Sequence, residues 1–433
     1  MPSDGKGKGK GPALLRRGMA RQFSSLSEYN YRVFFAGQSL SLIGTWMQTV
    51  GQGWLILQLT GSPAALGVVT MLQFLPITLL SLVGGVLADR LPKRRTLVVV
   101  QSVATVQAAL MAVLTATGAI TIWQIFVLAF VLGCTNAIER PIRQSFFSEL
   151  VDREHLVNAV ALNSSTLNLA RVLGPALGGL TIAAFGVETN FALNCASFLA
   201  VLAGYGLMRP SQLYPSGRKP AAGNIGRQIA EGLSYAWRTP SMLVIFILVA
   251  FIGTFGYNFN VVVPLIAEFV LKVGPGQFGL LTSALGAGSL VSALAVASAG
   301  RQRPSRLLMW AGAFSVLVIS LAVVHSYWID IVVLALLGLT GVALMTGANT
   351  TLQLSAPDEY RGRVISIFIL LQAGSTPIGG LMVGWLSESF GVAVAVGVQG
   401  VCCALGVGVA AAYFLRTGGA RAAERLPGEI AAA

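Results

Sequence analysis

The sequence predicts an all-α integral membrane protein with twelve transmembrane helices, arranged as two pseudo-symmetric six-helix bundles. Three observations carry that expectation. Only 10% of the 433 residues are charged and 55% are hydrophobic, with a mean hydropathy of +0.75. A soluble domain carries roughly 25% charged residues, so this chain cannot cover a water-exposed surface. With about 20 apolar residues as the length of one crossing, spans fall near 33–59, 64–88, 96–117, 121–140, 159–185, 190–208, 241–270, 277–299, 307–325, 328–352, 363–387 and 391–415. Finally, the polar stretch 209–240, rich in Pro, Gly and basic residues, divides the spans six and six.

The remaining organisation follows from charge and loop length. Residues 1–30 read as a disordered basic tail, 31–208 as the first bundle, 209–240 as a cytoplasmic linker, 241–415 as the second bundle and 416–433 as a short tail. No short apolar core ending in small residues opens the chain, so no cleavable signal peptide is expected. Of the 29 Lys and Arg residues, Lys272 lies at the outer end of the seventh span and Arg171 inside the fifth. The other 27 (29 less these two) fall on the cytoplasmic side if both termini lie there, which is the inner-positive arrangement. Topology therefore accounts for the net charge of +13, and no nucleic-acid partner is expected. Cys134, Cys195, Cys402 and Cys403 sit in apolar segments without metal-ligand spacing, so no disulfide framework, metal or cofactor is indicated.

Polar residues inside apolar spans are the candidates for function, because lipid gives them no hydrogen-bond partners. In the first span, Gln38, Ser41, Thr45, Gln48 and Gln52 recur at alternating intervals of three and four, along one helical face. A stripe of about four turns suggests a water-filled cavity between the bundles; the rival reading is polar contact with neighbouring helices. Arg171 lies about twelve residues into the fifth span, roughly 18 Å from its cytoplasmic end, with Ser164 and Asn168 preceding it on the same face. An intramembrane cation costs several kcal/mol unless it is satisfied, and no carboxylate lies at comparable depth, so a cavity role in substrate binding is expected. Tyr257, Asn258 and Asn260 form a polar cluster in the seventh span that can face the stripe. Glu268 and Lys272 read as a solvated i, i+4 pair, and His155 and His325 as interfacial.

Several motifs carry a family resemblance over about residues 28–415. The loop after the second span reads "GGVLADRLPKRRTL"; its Gly85, Leu87, Ala88, Asp89, Arg90, Lys93, Arg94 and Arg95 resemble motif A of the major facilitator superfamily. Pro92 departs from the Gly common in that motif, which tightens the loop but spares the charged positions. Gly174, Pro175, Gly178 and Gly179 in the fifth span, preceded by Ala170, resemble motif C of that superfamily's exporters. "RPIRQSFFSELV" (140–151) and "RGRVISIF" (361–368) are similar to the transmembrane secretion effector branch, which includes siderophore exporters and macrolide efflux proteins. The two halves also echo each other: "LARVLGPALGGL" in the fifth span is answered by "LQAGSTPIGGLMVGW" in the eleventh.

The resemblance implies the major facilitator fold, alternating access, a small-molecule substrate, an ion gradient, by default of protons, as the driver, and a monomer in the bacterial cytoplasmic membrane. It further implies a cytoplasmic latch in which Asp89 meets the amino end of the eleventh helix near Arg361. There an anion is stabilised by exposed N–H groups, with Lys93 paired to Glu139 beside it. Motif C implies a seal between the halves. No GxxxxGK[ST] phosphate loop is present, so ATP coupling within this chain is not expected. An importer of the same fold and a membrane-embedded enzyme remain as alternatives; the absence of HExxH and GxSxG motifs argues against the enzyme. Glu139, Glu188, Glu268 and Glu388 all lie toward span ends, leaving no obvious ion-coupling carboxylate.

Overall fold

The computed structural model describes residues 24–214, 239–296, 300 and 302–417, with the backbone alone at 81–90, 358–359 and 373. Both predicted tails fall largely, and the linker mostly, outside the described residues. Twelve hydrophobic helical segments follow in order: α1 (Tyr29–Thr60), α2 (Pro63–Arg90), α3 (Lys93–Ala116), α4 (Ile122–Leu150), α5 (Leu156–Phe185), α6 (Val187–Leu207), α7 (Pro240–Val270), α8 (Pro275–Val296), α9 (Pro304–Val323), α10 (Tyr327–Ser355), α11 (Asp358–Ala373 and Thr376–Phe390) and α12 (Val392–Arg416). By length and composition eleven of them can cross a membrane; α1, which carries the polar stripe, is the other. Two departures from the expected spans matter. Helix α4 runs to Leu150 rather than 140, and α7 is interrupted, with a π-turn at Ile252–Gly256 and non-helical backbone at Tyr257 and Asn258.

Turn chemistry fixes the alternation of direction. Helix α1 stops at Gly61 (φ 60°), whose N–H caps the Leu57 carbonyl, a left-handed stop that glycine adopts without penalty. The fifth helix of each half joins the sixth through one glycine in the same conformation, Gly186 at φ 87°, ψ 162° and Gly391 at φ 88°, ψ 157°. That backbone region is essentially reserved for glycine. Its repetition at equivalent places is the first structural sign of the pseudo-twofold.

The second sign is how the halves meet. Helix α5 packs on α8, and α11 on α2; advancing each number by six exchanges these two pairs. Both contacts bring backbones together through small residues. A Cβ added at Gly179 would stand 2.5 Å from the Pro275 carbonyl oxygen and 2.8 Å from the Cα of Gly279. A Cβ at Gly67 would stand 2.8 Å from the Gly380 carbonyl oxygen and 3.1 Å from the Cα of Gly384. Trp54 stacks on Phe278 with centroids 5.9 Å apart, and Ser283 Oγ donates to the Val172 carbonyl at 2.8 Å. Across the same face Glu388 of α11 accepts from Ser62 Oγ (2.8 Å) and the Ala64 N–H (3.2 Å), placing a carboxylate at the positive amino end of α2.

These inter-half hydrogen bonds and close contacts lie level with Arg171 or beyond it, toward the face opposite the chain termini. That far face is closed, whereas toward the terminal face α5 is exposed over a wide arc (Val160, Ala161, Ser164, Ser165 and Leu169), from which the crevice between the bundles is inferred to open that way. Gly179→Leu inserts a side chain where the closed far face has backbone. It is therefore expected to hold that face apart, lengthening the pulsed-EPR distance between spin labels at Thr189 and Gln277. An unchanged distance would show that the α5·α8 contact does not control closure.

Candidate functional site

The break in α7 builds the centre of the molecule. Where the helix loses its regular ladder, Asn258 turns inward, 1% exposed, and its Nδ2 donates to the Thr254 carbonyl at 2.8 Å. Its Oδ1 has no partner among the described residues. The neighbouring Tyr257 ring stacks on Phe314 of α9 at 5.9 Å and an interplanar angle of 8°, while its hydroxyl lies against Gly341 of α10. Asn260 is exposed. Broken helices are tolerated at membrane depth only where protein or a water-filled cavity takes up the freed backbone groups.

Arg171 faces this break from the other half. Its guanidinium lies 5.5 Å from the ring centroid of Trp46 on α1, and Tyr257 is its electrostatic neighbour. None of the ion pairs among the described residues includes it. A cation over an indole is worth about 0.5–2 kcal/mol, less than an intramembrane charge costs. The remainder must come from water or from an anionic or polar ligand in the crevice. Asn168, one turn before Arg171, is half-buried and its Nδ2 donates to the Ser164 carbonyl at 2.9 Å. Sequence reasoning found Arg171, Tyr257 and Asn258 but not Trp46. An indole one residue beyond Thr45 carries no signal in the sequence, because a tryptophan in an apolar span is equally suited to face lipid.

The stripe itself is turned elsewhere. Gln48, 2% exposed, donates through Nε2 to Gln107 Oε1 on α3 (3.1 Å) and accepts through Oε1 from Asn194 Nδ2 on α6 (2.6 Å). Ser41 and Gln52 are buried at 4% and 5%, and the Thr45 hydroxyl returns to the Ser41 carbonyl. Gln38 lines a small internal pocket with Tyr31, Phe34, Phe147, Asn163 and Thr166. The expectation of a cavity-facing stripe is thus corrected for Gln48, which bonds helices of its own bundle, the rival reading. The reason is geometric: on α1 the face that packs on α6 and reaches Gln107 of α3 and the face toward α7 differ by a fraction of a turn, and sequence spacing does not distinguish them.

The motif C residues do two jobs. Gly174 and Gly178 admit α1 so closely that a Cβ at 178 would stand 3.1 Å from the Cα of Met47. Asn190 Nδ2 ties that contact by donating to the carbonyls of Met47 and Gly178, each at 3.1 Å. Gly179 turns instead to α8, and Pro175 offers its carbonyl to the neighbourhood of Gly279. The Gly174–Gly179 stretch therefore lies against both halves.

On the terminal face the expected pairing is corrected. Lys93 Nζ bonds Glu149 Oε1 at 2.7 Å, not Glu139, which holds Arg143 Nε at 2.6 Å one turn along α4. Because α4 continues to Leu150, Glu139 sits about three turns inside the helix, and Glu149 is the acid at the level of the α2–α3 loop. Arg94 donates twice to the Tyr205 carbonyl, at 2.9 and 2.6 Å, and Arg361 Nε donates to the Gln353 carbonyl at 3.0 Å. The side chains of Gly85's neighbours Asp89 and Arg90 lie outside the described residues, so the Asp89 contact does too. At the far face, no ion pair forms between Glu268 and Lys272. The helix ends in a π-turn at Ile266–Val270 and Lys272 is left-handed (φ 51°), which breaks the i, i+4 register.

If Gln48 is structural, Gln48→Ala leaves buried amides of Gln107 and Asn194 short of partners. It should lower stability by about 1–3 kcal/mol, read as melting temperature in detergent, with Asn194→Ala non-additive beside it. Unchanged melting with lost transport would return Gln48 to the cavity.

Comparison with known proteins fits this geometry. The profile of the family described as "Transmembrane secretion effector" matches residues 20–429. The chain is 27% identical over 376 residues to the Staphyloferrin A transporter of Staphylococcus aureus, covering 86% of this chain and 92% of the relative. It is 27% identical over 375 residues to the multidrug efflux pump Tap of Mycobacterium tuberculosis, covering 82% and 87%. It is 21% identical over 368 residues to macrolide efflux protein A of Streptococcus pyogenes, covering 84% and 90%. Among solved structures the fold matches the nucleoside transporter NupG (TM-score 0.72, 10% identity, 89% of this chain and 99% of that one). It also matches a bacterial homolog of the human lysosomal transporter Spinster (TM-score 0.67, 13% identity, 92% and 98%). With a family match across nearly its whole length, the chain belongs to the transmembrane secretion effector family of the major facilitator superfamily, and it is a membrane transporter rather than an enzyme.

Proposed function

We propose that this transporter exports a small organic molecule of siderophore or drug type by alternating access, driven by an ion gradient and working as a monomer. Both termini and the 209–240 linker then lie in the cytoplasm, so the crevice seen here is the cytoplasm-facing, loading conformation. The observation that carries the reading is Arg171: an intramembrane guanidinium with an aromatic neighbour on each half and no carboxylate paired to it among the described residues. Such a group is suited to hold an anionic or polar part of the cargo at the junction of the bundles, with Asn168, Tyr257 and Asn258 as further contacts. The names of the relatives support the cargo class, since they are assigned to staphyloferrin A, multiple drugs and macrolides. Export is favoured over import by the motif C glycines, whose packing against α1 and α8 helps seal the far face.

Arg171→Lys keeps the charge but loses the planar fork, whereas Arg171→Gln keeps hydrogen-bonding capacity and loses the charge. A substrate role predicts partial vesicle transport for Lys and little for Gln, at equal protein levels and unchanged melting. Joint loss of melting temperature in both variants would make Arg171 a structural residue; normal export by both would make it a bystander.

The terminal-face latch is proposed for the outward-open state, when that face closes and Asp89 reaches α11. Asp89→Asn changes charge with little change in size, and it should abolish most efflux while the protein still inserts. Normal efflux at normal abundance would leave Asp89 with no gating role.

A further inference from the structure

A buried carboxylate without a partner among the described residues lies at the far end of α10. Asp330 is the fourth residue of that helix, about 5 Å along it, a position that reads from sequence as a solvated first turn. The structure instead buries it completely, at 0% exposure, and neither carboxylate oxygen has a hydrogen-bond donor among the described residues. An ionised carboxylate in that setting is costly without a counter-ion.

No counter-ion is paired with it among the described residues. Helices α8 and α9 pack along α10, with α7 and α11 joining it nearer the terminal face. Helix α8 contains no titratable residue, and the one in α9, Arg306, lies at the terminal end with residues 358–363 of α11. On α10 itself the only other such group is Tyr327, whose hydroxyl is committed to the Gln277 carbonyl at 3.4 Å. Glu268 and Lys272 end α7, and His325 stands in the loop five residues before Asp330. Lys272 and His325, with Glu388, line a cavity of about 660 Å³ on the far face.

We propose that Asp330 is a proton-binding site that gates the far face, loaded from water in that far-face cavity; this rests on the transport reading above. The carboxylate takes a proton from far-face water to become neutral as that face closes, stays neutral while buried as seen here, and returns the proton to far-face water when that face reopens, so that protonation permits closure without net proton transfer. Coupling to cargo has a physical route. Asp330, Leu334, Leu337 and Gly341 share one face of α10, all buried, and Gly341 bears on the Tyr257 hydroxyl beside Arg171. Eleven residues of helix, about 16 Å, thus join the proton site to the substrate site as one rigid element. Sodium would require several oxygen ligands converging with the carboxylate, and the test below separates it from a proton.

The test uses the purified full-length protein and Asp330→Asn, with Asp330→Ser as a second neutral variant if the first does not fold. A ligand that binds the native state raises its melting temperature. In sodium-free buffer, moving from about pH 8 to about pH 5.5 should therefore raise the melting temperature of wild type by about 3 °C more than that of the variant. Equal responses overturn the proposal, as does a rise produced by sodium chloride at about pH 8 that the variant lacks. In proteoliposomes with ethidium as probe, wild-type dye exchange should respond to the pH of the far-face solution, and the variant should retain exchange while losing that response. A pH response equal to wild type overturns the proposal. If wild type moves no dye, the export reading fails for this probe, and the melting comparison still decides Asp330.

Discussion

Two backbone-to-backbone contacts, α5 on α8 and α2 on α11, are what the rest of the structure depends on. In a bilayer, helices gain little from hiding apolar side chains from one another, since lipid is as apolar as leucine; close approach through glycine supplies the attraction instead. Gly179 against Gly279 and Gly67 against Gly384 let the halves touch without side chains between them. A surface of small residues can also part and reform without exposing large apolar groups or stranding polar ones. The contacts that close the far face are thus also suited to open it.

Closure there determines what the centre can be. With the halves joined from the level of Arg171 outward, the crevice reaches the interrupted α7, where Tyr257 and Asn258 lie against Phe314, Gly341 and Thr254. A continuous helix would have bonded those backbone groups to itself and left no irregular wall. Arg171 meets that wall from the opposite half with Trp46 beside it, so each conformational change of the halves alters the surroundings of the cation. A charge placed inside one bundle would be insensitive to that motion.

Polar groups elsewhere in the membrane are spent on assembly. Gln48 between Gln107 and Asn194, and Asn190 between Met47 and Gly178, bind α1 to α3, α5 and α6. On the terminal face Lys93 with Glu149 and Arg94 with the Tyr205 carbonyl do similar work at the membrane boundary. These bonds make the first half a stiff unit, which a rocking mechanism requires.

The sequence by itself determined the number, order and approximate limits of the helices, because hydropathy over about twenty residues is a local property that the bilayer enforces. It also determined the repeat, through glycines such as Gly178 and Gly179 answered by Gly379 and Gly380, and it exposed Arg171, whose cost in lipid does not depend on its neighbours. Only the tertiary structure decided which way each polar residue faces. Gln48 and Trp46 are two positions apart on one helix, yet one bonds α3 and α6 and the other meets Arg171 on α5. Glu149 rather than Glu139 takes Lys93 because α4 extends ten residues further than its apolar run. Asp330 looks solvated by position and is buried by packing. Span and repeat are written along the chain, whereas facing and pairing are relations between helices far apart in sequence, set by which neighbour arrives at each side.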